Sequence, residues 1–160
     1  MGNYYLTRRS LERLKERVTA LQRQLKGDVA RELARAAGYK DFRENAEWDA
    51  ALEVQGKLKH ELAEILQKVQ DAALIEEVPV NSDRVTIGTR VTLYDVERGE
   101  EFTYTILGEE EADLGRGIIS YKAPLARGLL KKEEGEEVEV TLPGGRRLFE
   151  VVRVEKADLG

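Results

Sequence analysis

From the eleventh residue the apolar side chains fall at Leu11, Leu14, Val18, Leu21 and Leu25, alternating steps of three and four along one helical stripe. A stripe that narrow must be covered by another helix, so the pattern commits this part of the chain to a coiled coil. Thr7 is placed to cap the helix, with Leu6 and Leu11 set to form a hydrophobic staple across its start. The register breaks near Gly27-Asp28 and resumes one residue displaced at Val29, Leu33 and Ala36-Ala37, as a four-residue insertion would make it, locally unwinding the coil. Gly38 ends the pattern, as glycine does just past a helix. A second stripe begins after Asp41 and reads Trp48, Leu52, Gln55, Leu58, Leu62, Ile65, Val69, Ala72. Two such helices joined by a short turn predict an antiparallel hairpin with arms of about 30 residues, roughly 45 Å at 1.5 Å per residue.

Around Val78-Pro79-Val80-Asn81-Ser82 the helical period stops, and the expected domain boundary lies there, with 1–78 as the coiled coil and 79–160 as a second domain. Beyond it the period is two. Phe102, Tyr104 and Ile106 alternate with Thr103 and Thr105, and Val138, Val140 and Leu142 with Glu139 and Thr141. Pro143-Gly144-Gly145 reads as the turn of a hairpin whose second strand runs from Leu148 to Val154. Pro124 to Lys131 reads as a short helix opened by proline, with Leu125, Leu129 and Leu130 inward. The fold class is therefore α+β, a helical hairpin followed by a small α+β domain.

Charged residues make up 36% of the chain, well above the usual quarter, which suits long helices with solvated outer faces. With no cysteine there is neither a disulfide framework nor a thiolate metal site. The N-terminus lacks the apolar run of a signal peptide and no stretch reaches membrane-spanning length, so the expected compartment is the cytoplasm, with no membrane partner. A net charge of −5 argues against a general nucleic-acid coat.

The segment joining the two helical patterns holds four carboxylates within nine residues: Asp41, Glu44, Glu47 and Asp49. Asp41 followed three residues on by Glu44 is close to a capping box, and acids in a first turn favour the helix dipole. The same pair, with no histidine or cysteine beside it, also suits a hard cation such as Mg2+, although two carboxylates fill only part of an octahedral shell. Spacing alone leaves both readings open. Arg31, Arg35, Lys40 and Arg43 approach this tip at helical spacing, either as solvated coil charges or as a phosphate-contacting stripe. His60, the single histidine, lies off the seam and reads as a surface residue. Trp48 starts the second seam and reads as a packing residue.

With those residues laid out, the chain resembles the GreA/GreB family of bacterial transcript cleavage factors. The family's tip motif G-D-L-S-E-N-A-E-Y is matched here by Asp41-Phe42-Arg43-Glu44-Asn45-Ala46-Glu47-Trp48, preceded by Ala34-Arg35-Ala36-Ala37-Gly38 in place of A-R-x-x-G. Leu6-Thr7 matches the opening L-T, and Ala123-Pro124-Leu125-Ala126-Arg127-Gly128-Leu129-Leu130 resembles the segment S-P-l-x-x-A-L-L. The resemblance implies an FKBP-like C-terminal domain that docks on bacterial RNA polymerase, with Pro124, Leu125 and Arg127 as docking candidates. It implies a monomeric accessory factor, not an enzyme, whose coiled coil enters the secondary channel. There Asp41 and Glu44 would serve as catalytic and metal-binding acids, sharing with polymerase a Mg2+ that the isolated protein would not hold, while the backtracked RNA 3′ end is hydrolysed. Asn45, Glu47 and Trp48 would support the tip, and Arg31, Arg35 and Arg43 are the candidates for RNA phosphate. Three departures stand out: Tyr39 and Lys40 lengthen the turn by two residues, Arg43 replaces serine, and Trp48 replaces tyrosine. They keep open an alternative, a secondary-channel regulator of the same fold that inhibits polymerase without promoting cleavage.

Overall fold

The computed structural model of the chain describes the backbone at residues 2–38 and 42–159, and side chains at residues 2–38 and 46–159. It divides into two compact units, one of Leu11–Asp71 and one that joins Gly2–Ser10 to the chain from Ala72 onward.

The first unit holds most of helix α1 (Arg8–Lys26), α2 (Asp28–Ala37) and α3 (Phe42–Gln70). The interruption expected near Gly27-Asp28 falls at Gly27, which takes φ −98° and ψ −100° between α1 and α2. A Cβ there would stand 2.9 Å from the carbonyl oxygen of Arg23, to which the Gly27 N–H donates. Two ion pairs show the hairpin to be antiparallel: Arg17 meets Glu61 at 2.7 Å and Arg35 meets Glu47 at 3.2 Å, so the partner number falls as the first rises. Between these rungs the ascending arm advances 18 residues and the descending arm 14. That four-residue excess matches the insertion read from the heptads. Leu21, Val29, Ala36, Ala51 and Ile65 are buried along the seam, whereas Leu11, Leu14, Val18 and Leu25 are only half-buried, as a two-helix coil allows.

The second unit begins where the seam was expected to continue. Ala72, read above as a helical position, opens strand β2 (Ala72–Leu74), which pairs in parallel with β1 (Tyr4–Leu6). The compact units therefore divide at Asp71, ahead of the break at residue 78 expected from the period. The physical reason is that parallel pairing draws both ends of the coil onto one ladder, a contact spanning 68 residues of chain that no local pattern announces.

The rest of the unit is a mixed five-stranded sheet of β3 (Thr89–Asp95), β4 (Glu100–Leu107), β5 (Ile118–Ser120), β6 (Glu137–Leu142) and β7 (Gly145–Lys156), in the order β5-β4-β3-β7-β6. Within this sheet β4 and β5 pair in parallel and the other neighbours are antiparallel. Leu93 faces Phe102 on one side and Val151 on the other, so these side chains share the face that α4 (Pro124–Leu129) covers with Ala126 and Leu129. The expected β6–β7 hairpin is present, its second strand starting at Gly145. Val152 is an extra residue in β7, since Thr92 pairs Arg153 while Leu93 pairs Val151. One buried acid closes the β3–β4 turn: Asp95 accepts the N–H groups of Glu97 (3.1 Å) and Arg98 (3.0 Å) and the Nε–H of Arg147 (2.9 Å). The Arg98 N–H, then the Arg147 guanidinium, hold its carboxyl below the usual range.

Candidate functional site

The tip of the hairpin is approached by the last turn of α2 and the first turns of α3. Asp41 lies outside the described residues, as do Tyr39, Lys40 and the side chains of Arg43, Glu44 and Asn45. Just behind them the two arms are locked by Arg35. Its guanidinium donates to Glu32 one turn back on α2 (3.2 Å from Nε) and across the hairpin to Glu47 on α3 (3.2 Å from Nη2). The cation holds the Glu32 carboxyl below its ordinary range. Arg31 pairs with Asp28 on its own helix. Both phosphate candidates of the ascending arm are thus engaged with carboxylates, and Glu47, a candidate tip support, is an anchor between the arms. Trp48 is half-buried next to it. Gly38 continues in the right-handed region, its N–H donating to the carbonyl of Arg35 at 3.2 Å.

Below the lock, small side chains leave an open groove of about 560 Å³ between α2 and α3, floored by Val29, Ala50, Ala51 and Val54. Among the described residues no group of three His, Cys, Asp or Glu side chains comes together to hold a metal. His60 is exposed and sits 3.0 Å from Glu64 on the same helix. No helix is long and apolar enough to cross a membrane, among the described residues.

The docking candidates lie on α4. Pro124 occupies its first turn and is exposed, Arg127 is exposed, and Leu125 is half-buried against the core. Gly128 lets the helix lie close on β6, since a Cβ would approach Val140 Cγ2 to 3.0 Å.

Sequence reasoning missed the residues that seat the start of α1. Glu111, in the β4–β5 connection, accepts the N–H of Thr7 (3.0 Å) and of Gly108 (2.9 Å), and Glu76 accepts the N–H of Arg8 at 3.0 Å. Tyr4 binds Glu110, and burial with that carboxylate pushes its phenol well up. Tyr5 meets Tyr121 edge to face at 5.6 Å. The expected cap is also present, Thr7 Oγ1 accepting the Ser10 N–H at 3.2 Å. Partners 68 to 116 residues apart leave no local signal.

Two family profiles match most of this chain. The profile described as transcription elongation factor, N-terminal, matches residues 4–74, and that described as transcription elongation factor, GreA/GreB, C-term, matches residues 80–156. The chain belongs to the GreA/GreB family of transcription elongation factors. It is 39% identical over 155 residues to transcription elongation factor GreA of Alkalilimnicola ehrlichii, covering 96% of this chain and 98% of the relative. It is 40% identical over 151 residues to that of Vibrio cholerae, covering 94% and 96%. Among solved structures it is similar to the prokaryotic transcription elongation factor GreA/GreB from Nitrosomonas europaea, at 20% identity over 97% of this chain and 99% of that one, with a TM-score of 0.41. The family profiles and relatives bear out the GreA/GreB membership expected from the sequence, and the fold has the expected helical hairpin followed by an α+β unit.

Proposed function

We propose that this chain is an accessory factor of bacterial RNA polymerase that carries Asp41 and Glu44 through the secondary channel and stimulates hydrolysis of backtracked RNA. The observation that carries this reading is identity of about 40% to factors named GreA over more than nine-tenths of the chain, with Asp41 directly before α3 in sequence and Glu44-Asn45-Ala46-Glu47 in the first turns of that helix.

The donor chemistry near the tip fits Mg2+. The chain has no cysteine, and its one histidine is sixteen residues beyond Glu44 on α3, about 24 Å along the helix, so the side-chain donors there are oxygens, carboxylates foremost. When bound, a second Mg2+ would supply water activation and charge neutralisation in two-metal phosphodiester hydrolysis. Asp41 and Glu44 would hold part of its shell and polymerase the rest, so the factor would lend ligands to another enzyme's chemistry. Arg35 and Glu47 join the arms behind these acids and resist splaying of the hairpin. Arg43 contacts RNA phosphate, and Pro124, Leu125 and Arg127 dock the α+β unit on polymerase. The factor works as a monomer in the cytoplasm.

In a stalled, backtracked elongation complex, Asp41→Ala and Glu44→Ala should each lower stimulated cleavage about a hundredfold or more, the scale of losing a preorganised charge at a reacting centre. Polymerase binding should be kept. Cleavage that survives both substitutions would leave the acids as helix caps. The longer turn and Arg43 favour one second reading, an inhibitor with displaced acids. Deleting Tyr39 and Lys40 separates the two, lowering cleavage in a tuned factor and raising it in an inhibitor.

A further inference from the structure

Along α2 the residues Asp28, Val29, Glu32 and Arg35 recur at helical spacing, and along α3 Glu47, Ala50, Ala51 and Val54 do the same. The two stripes face one another across the open groove of about 560 Å³. Its floor is apolar and its rim is charged. Val29 and Ala51 are buried in the seam, whereas Ala50 is exposed and Val54 leaves 51% of its surface in water. Among the described residues the rim carries three carboxylates, Asp28, Glu32 and Glu47, against two guanidinium groups: Arg31 takes Asp28, and Arg35 serves both Glu32 and Glu47. One negative charge is left over, where two acids share one cation.

From Asp28 to Arg35 the groove is about 10 Å long, room for roughly two helical turns or three extended residues. Arg35 ends it just before Ala37, the last residue of α2, so the groove follows close behind the tip. The break at Gly27 marks where it begins. Above the break the buried seam residues are Val29, Ala36 and Ala51, smaller than Leu21 and Ile65 below it, and the missing volume opens the groove.

We propose that this groove receives a short segment of the polymerase, one that lays an aliphatic side chain on the floor of Val29, Ala51 and Val54 and brings a Lys or Arg to Glu32 and Glu47. The inference rests on the function proposed above, which carries the hairpin into the channel. Charge complementarity selects the occupant: a partner cation balances the surplus carboxylate, while the aliphatic contact takes the exposed parts of Ala50 and Val54 out of water. Nucleic acid fits poorly. Phosphates would meet the acidic rim, and among the described residues no aromatic ring lines the floor to stack a base. Because both arms build the groove, only the closed hairpin offers it.

The test is equilibrium binding of the full-length chain to polymerase across a salt series, with wild type, an Ala50→Gln, Val54→Gln double variant and a Glu32→Gln variant. Glutamine suits a helix and lays a polar chain over the floor. The double variant should bind about fivefold or more weakly at every salt concentration, the scale of losing an apolar interface residue. Glu32→Gln should bind about two- to fivefold more weakly at low salt, with the gap closing as salt screens the rim. Circular dichroism and Trp48 fluorescence report whether the hairpin is kept. If the double variant loses helix, Val54→Thr replaces it, retaining the branched shape while a hydroxyl takes the place of a methyl. Wild-type affinity in the folded floor variant overturns the proposal. So does Glu32→Gln binding as tightly as wild type or more tightly, the latter marking an anionic occupant. If wild type itself fails to bind polymerase, the function proposed above falls as well; if wild type binds and cleaves while the folded variants equal it, only this inference falls.

Discussion

Gly108→Ala should unfold the α+β unit well below the wild-type temperature. A Cβ at Gly108 would stand 2.0 Å from the carbonyl oxygen of Tyr5 and 2.8 Å from Glu111 Oε1. Ordinary contact begins near 3.4 Å, so β1 would have to retreat by about 1.4 Å. It is held on both sides. Leu6 is fully buried, Tyr4 and Leu6 pair with Ala72 and Leu74, and the Tyr5 ring lies against Tyr121. Overpacking of this kind costs about 1–3 kcal/mol. Displacing Glu111 also loosens hydrogen bonds to the N–H groups of Gly108 and Thr7, each worth about 1 kcal/mol. A total near 3 kcal/mol in a unit of about 100 residues corresponds to a drop of roughly 12–24 °C. The assay separates the units by their chromophores. The single tryptophan, Trp48, lies in the hairpin, whereas five of the six tyrosines, Tyr4, Tyr5, Tyr94, Tyr104 and Tyr121, lie in the other unit, so near-ultraviolet tyrosine signals should shift most. A tyrosine transition within about 2 °C of wild type would refute the tight seat of β1 on Gly108.

Other consequences are as direct. Lys131 adopts φ 72°, so Lys131→Gly should relieve about 1–2 kcal/mol of left-handed strain, offset by ~0.4–1 from added unfolded freedom, for a small net rise in Tm; a fall would contradict it. Asp95 has a lowered carboxyl pKa in the folded state, so its contribution is complete above about pH 4 and is lost as pH falls through its folded value. Urea unfolding between pH 5 and 2 should therefore show a shallower acid loss in Asp95→Asn, and an identical pH slope would contradict that. A double-mutant cycle on Arg35→Ala and Glu47→Ala should give a coupling of about 0.3–1 kcal/mol in hairpin stability, followed by Trp48 fluorescence, because both partners are half-exposed. No coupling would remove the lock behind the tip.

Elements whose own repeat faces a core are legible in the chain. The α1 stripe, the break at Gly27, the Thr7 cap, the proline-led α4 and the β6–β7 hairpin all follow from local spacing, and the α3 stripe does so apart from Leu52, which is exposed while its neighbour Ala51 takes the buried place. Strand β3 is harder to read, although it is central, because its buried positions are Thr89, Val91, Leu93 and Asp95, and an acid ends the alternation. Strands β1, β2 and β5 have three residues each, too few to show a period. The tip motif was readable as residue types and order. The partners of Arg35 were not, since Glu32 lies on its own helix and Glu47 twelve residues away, and only the register of the hairpin selects between them and phosphate. Glu76 and Glu111 belong to the same class: side chains that cap a helix from another part of the chain carry no mark of it in sequence.

The most direct test of the function is length analysis of 5′-labelled RNA in a stalled, backtracked elongation complex incubated with Mg2+ and the wild-type chain. The expected result is rapid shortening of the RNA from its 3′ end and renewed extension once nucleotides are added. Intact RNA together with blocked extension, at factor concentrations that saturate polymerase, would contradict it and identify an inhibitor that occupies the same channel.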